Sequence, residues 1–182
     1  RVSLAPVLAA GAAVLTAGTK LAAIRVGQAI ESNPHAGRTY VKNNPEVDLV
    51  AADIRSLDPL QCLGRLSMVS GDIDVIVAGL PCQGFSESNR RTRTLTNPKN
   101  HLYKEVLRFA TVIRPKCLII ENVAGLLTLA RGTVLESIVE ACRSIGYSVR
   151  WKVLCAADHG IPQVRKRIFI ICWHLPMAAT FP

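Results

Sequence analysis

The sequence predicts a doubly wound α/β fold with a mostly parallel sheet. Short apolar runs rich in β-branched residues alternate with segments of helical periodicity along the chain. No repeat, low-complexity tract or linker interrupts this alternation. A chain of 182 residues is long enough for one domain with a proper core and too short for two ordinary ones. We therefore expect residues 1–182 to form a single domain.

In the first half of the chain, apolar runs predict strands, and the more polar or small-residue segments between them predict helices. A Gly-rich break or an acidic residue closes most of the strand runs. Gly64 interrupts the last of the helical segments. In chain order we expect strand Val2–Ala10, helix Gly11–Ala23, strand Ile24–Glu31, helix Pro34–Asn43, strand Val47–Ala52, helix Leu57–Met68 and strand Asp74–Ala78.

The first segment has a second interpretation. Residues 1–18 combine an early Arg, an apolar run and small residues, which is also typical of a secretory signal peptide. We favour a strand and a helix because the following residues continue as βα units. The apolar run is short and Ala-rich for a membrane span, so we expect no membrane association and a cytoplasmic protein.

The second half repeats the alternation after a basic, polar segment, Glu87–Asn100. Its first helix is predicted from apolar residues that recur on one side, and its second from a closing Gly146, a natural C′ residue. Its first strand is expected to stop at an acid, Glu121. In chain order we expect helix Leu102–Ile113, strand Cys117–Ile120, helix Thr133–Ile145 and strands Ser148–Leu154 and Ile168–Trp173.

Charge and cysteine usage narrow the class of protein. Lys and Arg outnumber Asp and Glu by 22 to 13, a formal net charge of +9, which favours a polyanionic partner. The six cysteines are scattered singly, without a C-x-x-C pair. We interpret five of them as small core residues in a reducing compartment, and we expect no metal site.

The octet Gly79-Leu80-Pro81-Cys82-Gln83-Gly84-Phe85-Ser86 is the centre of the functional argument. It follows the apolar run that ends at Ala78, and Gly and Pro stop regular structure there. Open α/β sheets bind ligands at the carboxyl ends of their strands. A thiol in such a loop can have a lowered pKa and act as a nucleophile, although a lone Cys is more often structural.

Two further motifs follow, Glu121-Asn122-Val123 and Gln163-Val164-Arg165-Lys166-Arg167. Each alone is explained by an ordinary strand-end turn or a solvated basic strand start. In this order with the Cys82 octet, the three resemble the bacterial-type cytosine-5 DNA methyltransferases. The resemblance is close from Asp74 to Trp173. It implies a class I, Rossmann-like methyltransferase fold.

The resemblance implies catalytic roles for five residues. The Cys82 thiolate would add to carbon 6 of cytosine and make carbon 5 able to attack a methyl group. Glu121 would protonate or hydrogen-bond ring N3 if partial burial raises its pKa, and Asn122 would fix the turn that aims it. Arg165 and Arg167 would orient the acid and contact the pyrimidine.

S-adenosyl-L-methionine is the cofactor that the resemblance implies. Glu31 matches the acid that takes ribose hydroxyls, and Asp53 matches the residue that accepts from the adenine amine. The family's glycine motif reads Val7-Leu8-Ala9-Ala10-Gly11-Ala12-Ala13-Val14 here, and its missing glycines predict weak cofactor binding. The expected cofactor-binding residues are Gly11, Glu31, Asp53, Ile54, Pro81 and Leu102.

Double-stranded DNA is the expected partner, with the target base flipped into the Cys82 pocket. The residues expected to contact it are Gln83, Ser86, Arg90, Arg91 and Arg93. The family's target-recognition region is expected after Trp173 but does not appear in the sequence, so a further segment or a partner chain would supply it. A non-catalytic nucleic-acid-binding relic and a tRNA cytosine methyltransferase are the alternatives.

Overall fold

The computed structural model describes residues 4–8, 16, 18, 20–80, 102–174, 177 and 180–182. Its residues group into two compact units. The first takes the described residues of Arg1–Gly79 and Lys104–Leu118, and the second those of Leu80–Tyr103 and Ile119–Pro182. This grouping does not test the expectation that residues 1–182 form one domain, which stays a prediction.

The first unit is built on parallel strands. They are β1 (Leu4–Leu8), β2 (Arg25–Ile30), β3 (Asp48–Val50) and β4 (Val75–Gly79), in the order β3-β2-β1-β4. Leu8 lies opposite both Ile30 and Ala78, and Ile30 lies opposite Val50. The carboxyl ends of all four strands therefore lie at one edge, which is where the sequence analysis expects ligand-binding residues.

Capping residues set the helices of the first unit. Helix α1 (Pro34–Asn43) begins after Asn33, whose side chain accepts from two backbone N–H groups. Helix α2 (Pro59–Arg65) begins after the cap Asp58 with Pro in its first turn. The prediction of a longer helix, Leu57–Met68, is wrong at both ends, because this cap fixes the start and Ser67 has φ 55°.

Helix α3 (Leu102–Ile113) matches its predicted bounds. It buries the apolar side that the sequence indicated, except for Leu102, which is half-buried. The fully buried large side chains of the first unit come from both strands and helices. They are Ile30, Tyr40, Ile73, Ile76, Phe109 and Leu118. Beside them the Thr16 hydroxyl lies 2.9 Å from the Tyr40 hydroxyl, which satisfies two buried polar groups.

The second unit contains β5 (Cys117–Val123, which begins in the first unit), β6 (Ser148–Cys155), β7 (Lys166–Trp173) and helix α4 (Thr133–Ser144), with strand order β5-β7-β6. Strands β6 and β7 are antiparallel. Gly146 follows the α4 cap with φ 91°, which confirms the predicted C′ glycine.

In the first unit, β2, β3 and β4 differ from their predicted bounds by one or two residues at each end. The three strands of the second unit also end or begin elsewhere than expected. Strand β5 continues past Ile120 through Glu121 and Asn122, so the prediction that the strand stops at Glu121 is wrong. Strand β6 continues one residue past Leu154. Strand β7 begins two residues earlier than predicted and includes Arg167. In β5 and β7 the charged or polar residues belong to the strands themselves, which fixes their side-chain directions.

The prediction that five cysteines are core residues holds for three of them. Cys62, Cys142 and Cys172 are buried, whereas Cys117 and Cys155 are half-buried. Desolvation raises the pKa of the Cys117 thiol to about 11, which keeps it protonated and unreactive near neutral pH.

Candidate active site

Glu31 follows β2 directly at the carboxyl edge of the first unit. Its backbone N–H donates to the Val50 carbonyl at 3.1 Å, which extends the β2–β3 ladder by one residue. Its carboxylate is buried and accepts from the Asn33 N–H at 2.7 Å through Oε1. Among the described residues no hydrogen bond reaches Oε2. This acid is therefore held in place through one of its two oxygens.

Asp53 lies three residues after β3 at the same edge and caps a 3₁₀ turn, Ile54–Ser56. Its Oδ1 accepts from the Arg55 backbone N–H at 2.9 Å. The Arg55 guanidinium pairs with the same carboxylate, with Nη2 2.6 Å from Oδ2. The hydrogen bonds from Arg55 lower the pKa of Asp53 to about 2, so this side chain is an ionised acceptor.

Ile54 is buried beside Asp53, and its carbonyl is held from helix α3. The Arg108 guanidinium donates to the Ile54 carbonyl at 2.9 Å. Arg108 is itself fixed by Glu105, at 2.8 Å, and by the Phe109 ring, whose centroid lies 5.0 Å from its Cζ. The Asp53 turn is thus anchored to a buried helix on its backbone side.

In the second unit, Glu121 and Asn122 take opposite faces of β5. Asn122 is buried, and its Oδ1 accepts from the Val123 N–H at 2.8 Å. This bond satisfies a polar side chain within the core and stabilises the point where β5 passes into a 3₁₀ turn, Ala124–Leu127. Asn122 therefore shapes the strand beyond Glu121, and its role in aiming the acid stays a prediction.

Arg167 and Glu121 form an ion pair between β7 and β5. Arg167 Nε lies 2.9 Å from Glu121 Oε1, and the two side chains are 22% and 18% exposed. Half-buried charges hold one geometry better than exposed ones, because water competes less for them. The pair therefore fixes where the Glu121 carboxylate points.

Arg165 is not brought to this pair. It precedes β7, its side chain is exposed, and its carbonyl accepts from the Ala156 N–H at 3.0 Å. Of the two arginines predicted to serve the acid, the structure therefore joins only Arg167 to it. Exposed apolar side chains of Ile161 and Val164 lie in the same turn.

Leu80 bonds to the backbone of Glu121 within the second unit. The Leu80 N–H donates to the Glu121 carbonyl at 3.3 Å, and Leu80 stands two residues before Cys82 in the sequence. The predicted residues outside the described part of the chain are Gly11, Pro81, Cys82, Gln83, Ser86, Arg90, Arg91 and Arg93.

Comparison with known families decides the relationship. The profile of the C-5 cytosine-specific DNA methylases matches residues 7–178, nearly the whole chain. The chain belongs to this family. Its class I methyltransferase fold agrees with a DNA modification methyltransferase encoded within an E. coli prophage, at 26% identity and a TM-score of 0.82 over 98% of this chain and 49% of that one. Spodoptera frugiperda DNMT2 shares the fold at 20% identity, with a TM-score of 0.75 over 98% and 52% of the two chains.

Two curated relatives are type II methyltransferases. M.DdeI of Desulfomicrobium norvegicum is 38% identical over 90% of this chain and 39% of its own length. M.AquIA of Picosynechococcus is 33% identical over 96% of this chain and 73% of its own length. The chain thus spans well under half of M.DdeI and about three quarters of M.AquIA.

Within the family's fold, two arginines of the first unit are functional candidates that the sequence interpretation missed. Arg55 and Arg108 hold the side chain and the backbone of the Asp53 turn. The Asp-x-Arg spacing of Asp53 and Arg55 was a usable signal for the first. The partner of Arg108 lies 54 residues away, and no local pattern indicates such a contact.

Two negative findings apply to the described residues alone. No helix there is long and apolar enough to cross a bilayer. No group of three or more His, Cys, Asp or Glu side chains in the same residues is arranged to hold a metal ion.

Proposed function

We propose that this chain transfers a methyl group from S-adenosyl-L-methionine to carbon 5 of cytosine in DNA through a covalent Cys82 adduct. One observation supports this most directly. Arg167 holds the Glu121 carboxylate at 2.9 Å, and the Glu121 carbonyl accepts from Leu80, two residues before Cys82. In a member of the C-5 cytosine-specific family, a fixed acid next to the backbone that leads to Cys82 supports covalent catalysis with a neighbouring acid.

The chemistry divides between Cys82 and Glu121. Carbon 5 of cytosine is a poor nucleophile until a thiolate adds to carbon 6. The Cys82 thiolate forms that bond while Glu121 protonates or hydrogen-bonds ring N3, so that negative charge does not build up on the ring. Carbon 5 would then attack the methyl group, with S-adenosylhomocysteine as the leaving group. Water would take the proton from carbon 5, N3 would return its proton to Glu121, and the carbon–sulfur bond would break to return the thiolate. The cofactor, when bound, supplies the electrophilic methyl.

Arg167 is the positioning residue in this scheme. A carboxyl group on a strand can rotate about its side-chain bonds, and a misplacement of about 1 Å can cost on the order of 100-fold in rate. The contact between Arg167 Nε and Glu121 Oε1 removes that freedom at one oxygen. The other oxygen is then presented in one direction to a flipped cytosine.

The acids of the first unit fit the adenosine part of the cofactor. Ribose hydroxyls and the adenine amine are donors, and they need fixed acceptors. Glu31 offers Oε2 from a buried, anchored carboxylate, and Asp53 is an ionised acceptor at the next strand end. We assign Glu31 to the ribose and Asp53 to the amine, with Ile54 beside the base.

Double-stranded DNA is the partner that we propose. The net charge of +9 and the arginines of segment 89–93 support phosphate contacts, which give affinity without sequence information. Bases would be read by a target-recognition segment or partner chain beyond these residues. A solvated, solubilising surface is the alternative interpretation of the same charges.

A methyl-transfer assay tests the proposal. The chain is incubated with methyl-labelled cofactor and either duplex DNA or tRNA, and the Cys82→Ser variant is the control. We expect label in DNA at carbon 5 of cytosine, and none with the variant, since a hydroxyl is far less nucleophilic near neutral pH. Equal label with the variant would refute the role of Cys82.

The two alternatives give different results in the same assay. Label in tRNA alone would favour a tRNA cytosine methyltransferase. Absence of label from both substrates, together with duplex binding, would favour a non-catalytic relic. The substituted glycine motif at residues 11–14 is the observation that keeps the relic in consideration.

A further inference from the structure

The Asp53 carboxylate, which we assign to the adenine amine, already has its hydrogen-bonding capacity filled. Oδ1 accepts from the Arg55 backbone N–H at 2.9 Å and from Arg55 Nε at 3.0 Å. Oδ2 accepts from Nε at 3.1 Å and from Nη2 at 2.6 Å. A carboxylate has about four lone-pair positions, so an incoming amine meets an acceptor that is already engaged.

The guanidinium is not required to hold Asp53 in place. The Arg55 backbone N–H, which no side-chain substitution removes, orients Oδ1. The Ser56 hydroxyl and N–H both donate to the Asp53 carbonyl, at 2.9 and 3.0 Å. Arg108 anchors the next carbonyl, that of Ile54. Removing the Arg55 side chain therefore leaves the turn intact and frees Oδ2.

The Arg55–Asp53 pair is also of a kind that a ligand can displace. The two side chains are 57% and 40% exposed, and exposed ion pairs contribute little net stability. Glu105 on helix α3 carries a second negative charge that acts on Arg55, after the larger effect of Asp53, and both raise its pKa. When a ligand displaces the Arg55 guanidinium from Asp53, the negative charge of Glu105 still acts on it.

We propose that Arg55 competes with the adenine amine for Asp53 and so lowers the affinity of this chain for its adenosine cofactor. The inference rests on the function proposed above and adds a residue that determines cofactor affinity. If Arg55 instead positioned Asp53 for the cofactor, its removal would weaken binding. The two roles predict changes of opposite sign in the dissociation constant.

Titration calorimetry with S-adenosylhomocysteine separates the two roles. We expect the Arg55→Met variant to bind about two- to five-fold more tightly than the wild type. This factor corresponds to the net free energy of one exposed ion pair, which the ligand must break only in the wild type. Arg65→Met is the matched control. It removes a comparable arginine from Asp48 in the same unit, and its dissociation constant should equal that of the wild type.

Two further measurements make the result specific. The gain should disappear with an analogue of S-adenosylhomocysteine that lacks the 6-amino group, because that ligand has no donor for Asp53. Raising the salt concentration should tighten binding to the wild type and leave Arg55→Met unchanged, since salt screens the exposed pair. Unchanged or weaker binding by Arg55→Met overturns the inference. If Arg55→Met does not fold, Arg55→Gln replaces it in the same titrations.

The Asp53→Asn variant distinguishes failure of this inference from failure of the proposed site. An amide should bind the amine less well than a carboxylate does. If Asp53→Asn, made in the Arg55→Met background where the competing pair is already absent, leaves the dissociation constant unchanged, Asp53 is not the adenine acceptor and both proposals for this turn fail. If Asp53→Asn weakens binding while Arg55→Met does not tighten it, only the competition by Arg55 is refuted.

Discussion

The ion pair between Arg167 and Glu121 should stabilise the second unit measurably, and removing either partner should show this. The pair joins β7 to β5 at 2.9 Å with both side chains less than a quarter exposed. We expect Arg167→Met and Glu121→Gln each to lower the free energy of unfolding. The double variant should lose less than the two single losses together, because the second change removes a group that has already lost its partner.

The structure sets the expected magnitude of this coupling. Coulomb's law at 2.9 Å and an effective dielectric constant of about 20 gives a gross attraction of about 6 kcal/mol. Desolvation of two half-buried charges offsets much of this. The net contribution of a hydrogen bond to a charged group is about 1.5–3 kcal/mol, so we expect a coupling energy of about 1–3 kcal/mol.

The assay is a double-mutant cycle by urea unfolding. A matched cycle at Arg65 and Asp48 provides the control, since that pair is more exposed, at 52% and 30%, and should couple by at most about 1 kcal/mol. A coupling between Arg167 and Glu121 below about 0.5 kcal/mol, or no larger than that of the control pair, would refute the view that this pair fixes the acid.

Three further predictions address pH, cofactor and DNA. The pKa of Asp53 is about 2 in the folded chain, below its ordinary value. Its contribution to stability is therefore complete above about pH 4 and is lost as the pH falls toward 2. Urea unfolding across this window should show a smaller loss of stability for Asp53→Asn than for the wild type. Restoring glycine at Ala13 and Val14 should tighten cofactor binding in calorimetry, and tight binding by the unchanged chain would contradict this. Reversing the charges of the three arginines in segment 89–93 should weaken binding to all duplexes alike and flatten the salt dependence, whereas strong preference for one short sequence at high salt would show that this chain reads bases.

Most element positions follow from patterns that are local in sequence. The β-branched run before Gly79 and the periodicity of 102–113 predicted their elements closely. Strand β5 was predicted too short because its apolar run stops at Ile120. Asn122 is nevertheless buried in that strand, and the hydrogen bond that makes this tolerable is formed only in the fold.

The candidate site was predictable to the level of residue type and strand end. The family resemblance implied that Arg165 and Arg167 orient Glu121, and the structure joins Arg167 to it rather than Arg165. Arg167 lies within β7 and Arg165 precedes it, because β7 begins at Lys166, two residues earlier than its apolar run suggests. The Arg55–Asp53 pair had a local signal in its Asp-x-Arg spacing, whereas the contact of Arg108 with Ile54 spans 54 residues and has none.

Covalent trapping tests the central claim most directly. A duplex carrying 5-fluorocytosine, whose carbon 5 has no proton to lose after methylation, is incubated with the chain and S-adenosyl-L-methionine, and the products are separated under denaturing conditions. The account predicts a protein–DNA adduct that requires the cofactor, maps to Cys82 by mass spectrometry and is absent from Cys82→Ser. An adduct at another residue, or none under conditions where the unmodified duplex is methylated, would contradict it.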